Sequence, residues 1–305
     1  MTIHTQPELR HDFVLLFDIT DGNPNGDPDG GNMPRTDPET MQGLVTDVCI
    51  KRKIRNYVDF QCGKEETTKI YIQDQGVALN DMNARAYSAL SMKSTGTKQK
   101  REDVNKARDW MCQNFYDIRM FGAVMTTGVN CGQVRGPIQL TFARSVDPVM
   151  PLDIAITRIA ITKPEDAVMV SGEDDKEESK GKTTEMGRKA LIPYGLYVAR
   201  GFYSPHFAEQ TGVKSTDLEL FWEGLVKMWE FDRSASRGMM APRGLYVFSH
   251  ENKLGNAPAH KLFERIHIAP LQNQGIVPRQ FSDYAVVVQD EDLPEGITLT
   301  RLTEG

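Results

Sequence analysis

Phe13-Val14-Leu15-Leu16-Phe17-Asp18-Ile19 is an apolar run of strand length, interrupted only by Asp18. It reads as a buried first strand. Directly after it comes Asp21-Gly22-Asn23-Pro24-Asn25-Gly26-Asp27-Pro28-Asp29-Gly30-Gly31-Asn32, and Pro-containing sequence continues to residue 38. Asn-Pro, Asn-Gly and Asp-Gly steps specify tight turns, so residues 21–38 read as a long turn-rich loop. Residues 43–58 then read as a helix, with Ile50, Ile54 and Tyr57 at three- and four-residue steps as its core stripe.

Working outward, residues 60–116 read as an insertion of helices and loops. Helices are expected at 84–92 and at 102–116, the second with Val104, Ala107, Met111 and Phe115 on one face. A polar loop with Lys93, Lys98, Lys100 and Arg101 separates them. Strands are expected at 121–125, 139–142, 154–161, 194–203, 244–248, 265–269 and 284–288. Residues 163–190 are polar and charged, an exposed excursion. The strongest helix spans 216–229, with Thr216 and Glu219 as a capping box and Leu218, Phe221, Trp222, Leu225, Val226 and Trp229 as its apolar stripe. There is no internal repeat. The order predicts an α+β domain around an antiparallel sheet.

The 305 residues are 39% hydrophobic and 26% charged, an ordinary globular composition. No stretch approaches 18 apolar residues, so no membrane span is expected, and the polar first ten residues lack the apolar region of a signal peptide. Cys49, Cys62, Cys112 and Cys131 have neither C-x-x-C nor zinc-site spacing, which predicts reduced thiols in a cytoplasmic protein. The net charge of −6 argues against a polyanionic partner, but it is unevenly spread. Residues 163–178 carry −5 and residues 290–305 carry −4, leaving +3 on the remainder. Local field, rather than total charge, decides nucleic-acid binding.

Lys51-Arg52-Lys53-Ile54-Arg55 is the densest basic cluster. On a helix Lys51, Arg52 and Arg55 share an arc, while Lys53 points nearly the opposite way. Three cations on one arc suit a phosphate path; the alternative is a solvated helix face. Arg233 and Arg237, four apart around two serines, suit phosphates equally, or offset the dipole of the preceding helix before Gly238. Arg135 sits alone in a turn. Met186 beside Arg188 and Lys189 suits a wedge between bases, with an ordinary exposed methionine as the alternative.

The loop at 21–32 also matches the first half of a calcium-loop template, but Asn32 stands where the bidentate Glu is required. It therefore reads as turns, with no metal and no cofactor. A second reading keeps Asp18, Asp21, Asp27 and Asp29 as the carboxylates of a metal-dependent ribonuclease. Phosphate-loop, nucleophile-elbow, zinc-protease and dinucleotide-binding signatures are absent, and the six histidines fit no metal spacing.

The blocks 22–29, 32–37 and 43–55 together resemble the backbone subunit of the type I-C CRISPR Cascade complex, a member of the repeat-associated RNA-binding superfamily. The likeness continues through 121–124, 134–145, 186–189, 194–197 and 232–238, and so covers nearly the whole chain. It implies a modified RNA-recognition (ferredoxin-like) palm, residues 12–59, 117–162 and 193–305. It also implies a helical finger insertion at 60–116 and a protruding thumb at 163–192.

The resemblance further implies a non-catalytic subunit that polymerises along crRNA as a filament and presents the guide to target DNA. Its partners would be further copies of itself and the cap, large and small Cascade subunits. It places Lys51, Arg52, Lys53 and Arg55 on the first palm helix as phosphate contacts, and Asn32 and Arg35 in the loop before it. Arg188 and Lys189 would hold RNA at the thumb, with Met186 displacing a base. The aromatic motif of RNA-recognition folds is missing; 119–124 matches it only loosely, which favours backbone gripping over base stacking.

Overall fold

The computed structural model describes residues 2–73, 76–160, 162, 185–271 and 277–305. The central sheet is antiparallel. It contains β1 (Arg10–Gly22), a short β4 (Gln42–Val45), β8 (Ala143–Pro148), the long β10 (Glu185–Tyr203), β11 (Met239–His250) and β14 (Ile297–Glu304). Their order is β14-β11-β1-β10-β8-β4, with β7 (Ile138–Leu140) and β9 (Leu152–Arg158) also pairing with β10. Helix α1 (Asp47–Cys62) follows β1, and α6 (Ser215–Phe231) joins β10 to β11. The chain β1-α1-β8-β10-α6-β11 with sheet order β11-β1-β10-β8 is the ferredoxin-like arrangement, so the expected α+β palm is present.

The middle of β1, Phe13 to Phe17, is apolar on both sides because both faces of the sheet are covered. Phe13, Leu15, Phe17 and Ile19 pack against Ile50, Ile54 and Tyr57 of α1 and against Phe221, Trp222, Leu225 and Trp229 of α6. Each such side chain stabilises the fold by about 1.5–3 kcal/mol on burial. Val14 and Leu16 face the other way, toward Tyr246, Phe248, Leu262, Phe263 and Ile297. That side carries α7 (Ala259–Phe263) and the hairpin of β12 (Ile266–Pro270) and β13 (Tyr284–Val288).

A separate core lies between α1 and β8. It is built from α2 (Leu79–Ala89), α3 (Arg101–Asn114), α4 (Tyr116–Phe121) and the hairpin of β5 (Gly122–Met125) with β6 (Gly132–Arg135). Tyr71, Met82, Tyr87, Met111, Phe115 and Met125 fill it. A buried ion pair fastens this unit to α6. Arg119 Nε and Nη2 donate to the two carboxylate oxygens of Asp217 at 3.0 and 2.7 Å, and Nη1 donates to the Cys112 carbonyl at 2.8 Å.

Several expected boundaries move. The first helix starts at Asp47, because Gly43 to Val45 belong to β4, and Thr46 accepts from the Cys49 N–H as N-cap. The N-cap of α6 is Lys214, whose N–H donates to the side chain of Asp217 at the third helical position at 2.8 Å, in place of the Thr216–Glu219 box. Residues 185–190, expected in an exposed excursion, form the first six residues of β10. Residues 161 and 163–184, with most of the expected thumb and its acidic run, lie outside the described residues.

Candidate nucleic-acid interface

Three segments meet at one end of the central sheet, where β1 stops. The turn-rich loop leaves β1 at Gly22, and a two-stranded ladder of β2 (Gly26–Asp27) and β3 (Met33–Pro34) closes it. Asn25 Oδ1 accepts from both the N–H and the hydroxyl of Thr46 at 2.9 Å, which ties this loop to the start of α1. The loop after α6 docks on the same end, where the Asn23 N–H donates to the Ser236 carbonyl at 2.8 Å. The contact is too close for side chains: a Cβ on Gly22 would sit 2.0 Å from the Arg237 carbonyl oxygen. Gly238 faces Thr20 in the same way, with φ at +62°.

The basic cluster of α1 divides. Arg52 is exposed. Lys51 is half-buried, pairing with Asp47 at 2.8 Å and lying 5.9 Å from the Phe121 ring centroid. Lys53 is buried against Trp229 and pairs with Asp232, and burial pushes its ammonium down to about 8. Arg55 also turns inward: its Nε donates to Asp117 Oδ2 at 2.9 Å, and its guanidinium lies 5.3 Å from the Phe121 ring centroid. Sequence placed Lys53 off the arc and Arg55 on it; the structure puts both inside. A cleft of about 190 Å³ remains beside the exposed face, lined by Val48, Lys51, Arg52, Arg55, Ile72, Phe121 and Gly122.

Asn32 is exposed in a left-handed conformation, and its carbonyl accepts from Asn23 Nδ2 at 2.7 Å. Arg35 is half-buried, 3.5 Å from Asp27. Arg233 is exposed and pairs with Glu230, while Arg237 Nε lies 2.9 Å from Asp232 Oδ2. The structure thus brings Asn32, Arg35, Lys51, Arg52, Arg233 and Arg237 to one end of the sheet. Arg135 lies on β6, in register with Gly122, its guanidinium 4.4 Å from the Phe207 ring centroid.

Beyond the Gly22–Ile192 pair, β10 leaves β1 behind and continues with β9 as a two-stranded arm from this same end. The register puts Met186 opposite Thr157, Arg188 opposite Ala155 and Lys189 opposite Ile154. Met186 and Arg188 therefore share one face, and Lys189 lies on the other with Ile154 and Ile156. Met186 is 74% exposed, and Arg188 bonds Asp153 at 2.6 Å.

The four aspartates of the ribonuclease reading are not gathered. Asp18 is buried, accepting from the Tyr194 hydroxyl at 3.1 Å with Arg243 Nε at 2.9 Å. Burial raises its carboxyl against the pull of Arg243. Asp27 and Asp29 stay within their own turn, where the Asp29 N–H donates to Asp27 Oδ1. Among the described residues no group of three or more His, Cys, Asp or Glu is placed to hold a metal ion. Nor is any helix among them long and apolar enough to cross a membrane, and all four cysteines are free thiols. The sheet face that ordinary RNA-recognition folds use for stacking lies under α7 and the β12–β13 hairpin. Sequence reasoning missed Asp117, Asp232 and Asn25, the groups that orient this surface. Asn25 was legible only as a turn residue, and nothing in the local pattern marked the two aspartates.

Two solved assemblies are similar in fold, each over 78% of this chain. A CRISPR RNA-guided surveillance complex in a pre-nicking state matches at 14% identity and TM-score 0.48, covering 78% of its chain. A type III-B Cmr-beta complex bound to cognate target RNA matches at 11% identity and TM-score 0.40, covering 61% of its chain. The CRISPR-associated protein Cas7 of Haloferax volcanii is 23% identical over 293 residues, 87% of this chain and 74% of that protein. The family model for CRISPR-associated protein Cas7 matches residues 9–289, and the chain belongs to that family.

Proposed function

We propose that this chain is a non-catalytic backbone subunit of a type I-C CRISPR interference complex, binding guide RNA and polymerising along it in the cytoplasm. The supporting observation is the convergence of Arg35, Lys51, Arg52, Arg233 and Arg237 at the sheet end from which the β9–β10 arm projects. Cations on three segments can follow a phosphate backbone, and they carry no base-specific geometry. Residues 12–59, 117–162 and 193–305 act as the palm, 60–116 as the finger and 163–192 as the thumb. Met186, with Arg188 on its face, displaces a base, while Lys189 and Arg135 add contacts from the thumb and the palm.

Base pairing of the guide with target DNA then supplies specificity. Further copies of this chain and the cap, large and small Cascade subunits complete the assembly. Co-expression with a repeat-containing RNA and the partner subunits, followed by RNA extraction from the purified particle, tests the reading. Lys51→Ala/Arg52→Ala is expected to weaken binding uniformly across sequences and to reduce the salt slope by about 0.7 per lost contact. A particle free of RNA at low salt, or RNA cleaved on incubation with magnesium, would overturn it.

A further inference from the structure

Asp232 stands where two simple rules disfavour an acid. It caps the C-terminus of α6, its N–H bonded to the Met228 carbonyl at 3.2 Å, and a carboxylate there faces the negative end of the helix dipole. It also lies among the cations assigned above to a polyanion. One carboxylate oxygen, Oδ2, meets both the buried ammonium of Lys53 and the Nε of Arg237, the latter at 2.9 Å. The Lys53 side chain is 1% exposed and that of Arg237 30%. Lys53 is therefore enclosed within the fold, while Arg237 keeps an outward edge. Among the described residues no other ion pair engages Arg237, and its two terminal nitrogens make no hydrogen bond there.

We infer that Asp232 is a positioning residue for nucleic-acid binding: it anchors Arg237 through Nε so that the terminal nitrogens present a fork to one backbone phosphate. This rests on the reading that this end of the sheet holds guide RNA. The loop's own backbone supports the arrangement. The Arg237 N–H bonds the Ser234 carbonyl at 3.1 Å, and its carbonyl presses on Gly22, so the main chain is fixed and only the guanidinium needs a tether. A side chain held beforehand loses less rotamer freedom when it binds.

The test exploits a sign. If Asp232 acted only through its charge, removing that charge beside RNA would tighten binding. As a tether, its removal weakens binding. Affinity of the full chain for a 5′-labelled single-stranded RNA of the repeat sequence is measured across a salt series. Asp232→Asn is expected to bind about tenfold more weakly, with a salt slope shallower by about 0.7, and Asp232→Glu to recover part of the loss. Arg237→Ala is expected to cost about tenfold with Asp232 present and little in Asp232→Asn, because the two act as a unit.

Equal or tighter binding by Asp232→Asn, or the same Arg237→Ala loss in both backgrounds, overturns the inference. Should the stranded Lys53 ammonium unfold Asp232→Asn, Lys53→Met/Asp232→Asn against Lys53→Met makes the same comparison with no buried charge left unpaired. Wild-type chain without RNA affinity would remove the functional reading itself, an outcome distinct from tight wild-type binding with an unaffected variant.

Discussion

Asn25 accepts two hydrogen bonds from Thr46 through one oxygen, both at 2.9 Å, across 21 residues of chain. Thr46 in turn caps α1 by accepting from the Cys49 N–H. The turn-rich loop is thus the outer layer of a cap on the basic helix, and its shape and the helix start form one unit. Asn25→Ala is expected to lower unfolding stability by about 1–2 kcal/mol, since it strands the Thr46 donors. Asn25→Asp, which keeps an acceptor, is expected to recover most of that. Urea midpoints check both, and equal midpoints for Ala and wild type would separate loop from helix.

Arg119 and Asp217 join the helical insertion to α6 by a two-point contact that is largely buried. Removing one partner leaves the other charge buried and alone. Arg119→Met is expected to cost about 3–5 kcal/mol. Asp217→Asn preserves the acceptor for the Lys214 N–H, so Arg119→Met/Asp217→Asn is expected to be more stable than Arg119→Met alone. A double-mutant cycle from denaturant unfolding checks the coupling; simple additivity would mean that the pair contributes no joint energy.

The elements legible in the sequence are those whose own pattern suffices. β1 has an apolar run interrupted only by Asp18, and α6 has a stripe of six apolar residues, so each declares its type before any partner is known. β4, β6 and β14 are short or mixed and gain their identity only from the strands beside them. The proposed phosphate path was half legible for the same reason. Lys53 and Arg55 look like surface cations because the carboxylates that hold them lie 179 and 62 residues away. Helical phase predicts which way a side chain points, but it cannot name what waits there.

Gly22 meets the carbonyl of Arg237 at a distance that leaves no room for a methyl group. The obstacle is backbone on both sides and cannot rotate away. Gly22→Ala is expected to lift the 232–238 loop from the end of β1 and break the Asn23–Ser236 bond. RNA affinity should fall more than global stability, because the central sheet is held elsewhere. Limited proteolysis near Arg233 and Arg237 checks the local opening; an unchanged cleavage pattern would show that the loop accommodates the methyl.

His11 lies fully buried between a carbonyl and a hydroxyl. Nε2 is 2.9 Å from the Gln6 carbonyl and Nδ1 is 2.9 Å from Ser249 Oγ. A carbonyl only accepts, so Nε2 carries the proton and Nδ1 accepts from Ser249. Burial is the main cause that pushes the imidazole down to about 4, from an ordinary value of 6.5. Between those values the unfolded chain binds a proton that the folded chain refuses. Stability is therefore fully present above pH 6.5 and is lost as pH falls toward 4. The loss from this one group is about 2 kcal/mol between pH 7 and pH 5. Urea midpoints of wild type and His11→Gln at the two pH values isolate it, because every other ionisable group is common to both proteins. Wild type should lose more stability than the variant on acidification. Parallel losses would mean that the imidazole accepts its proton inside the fold.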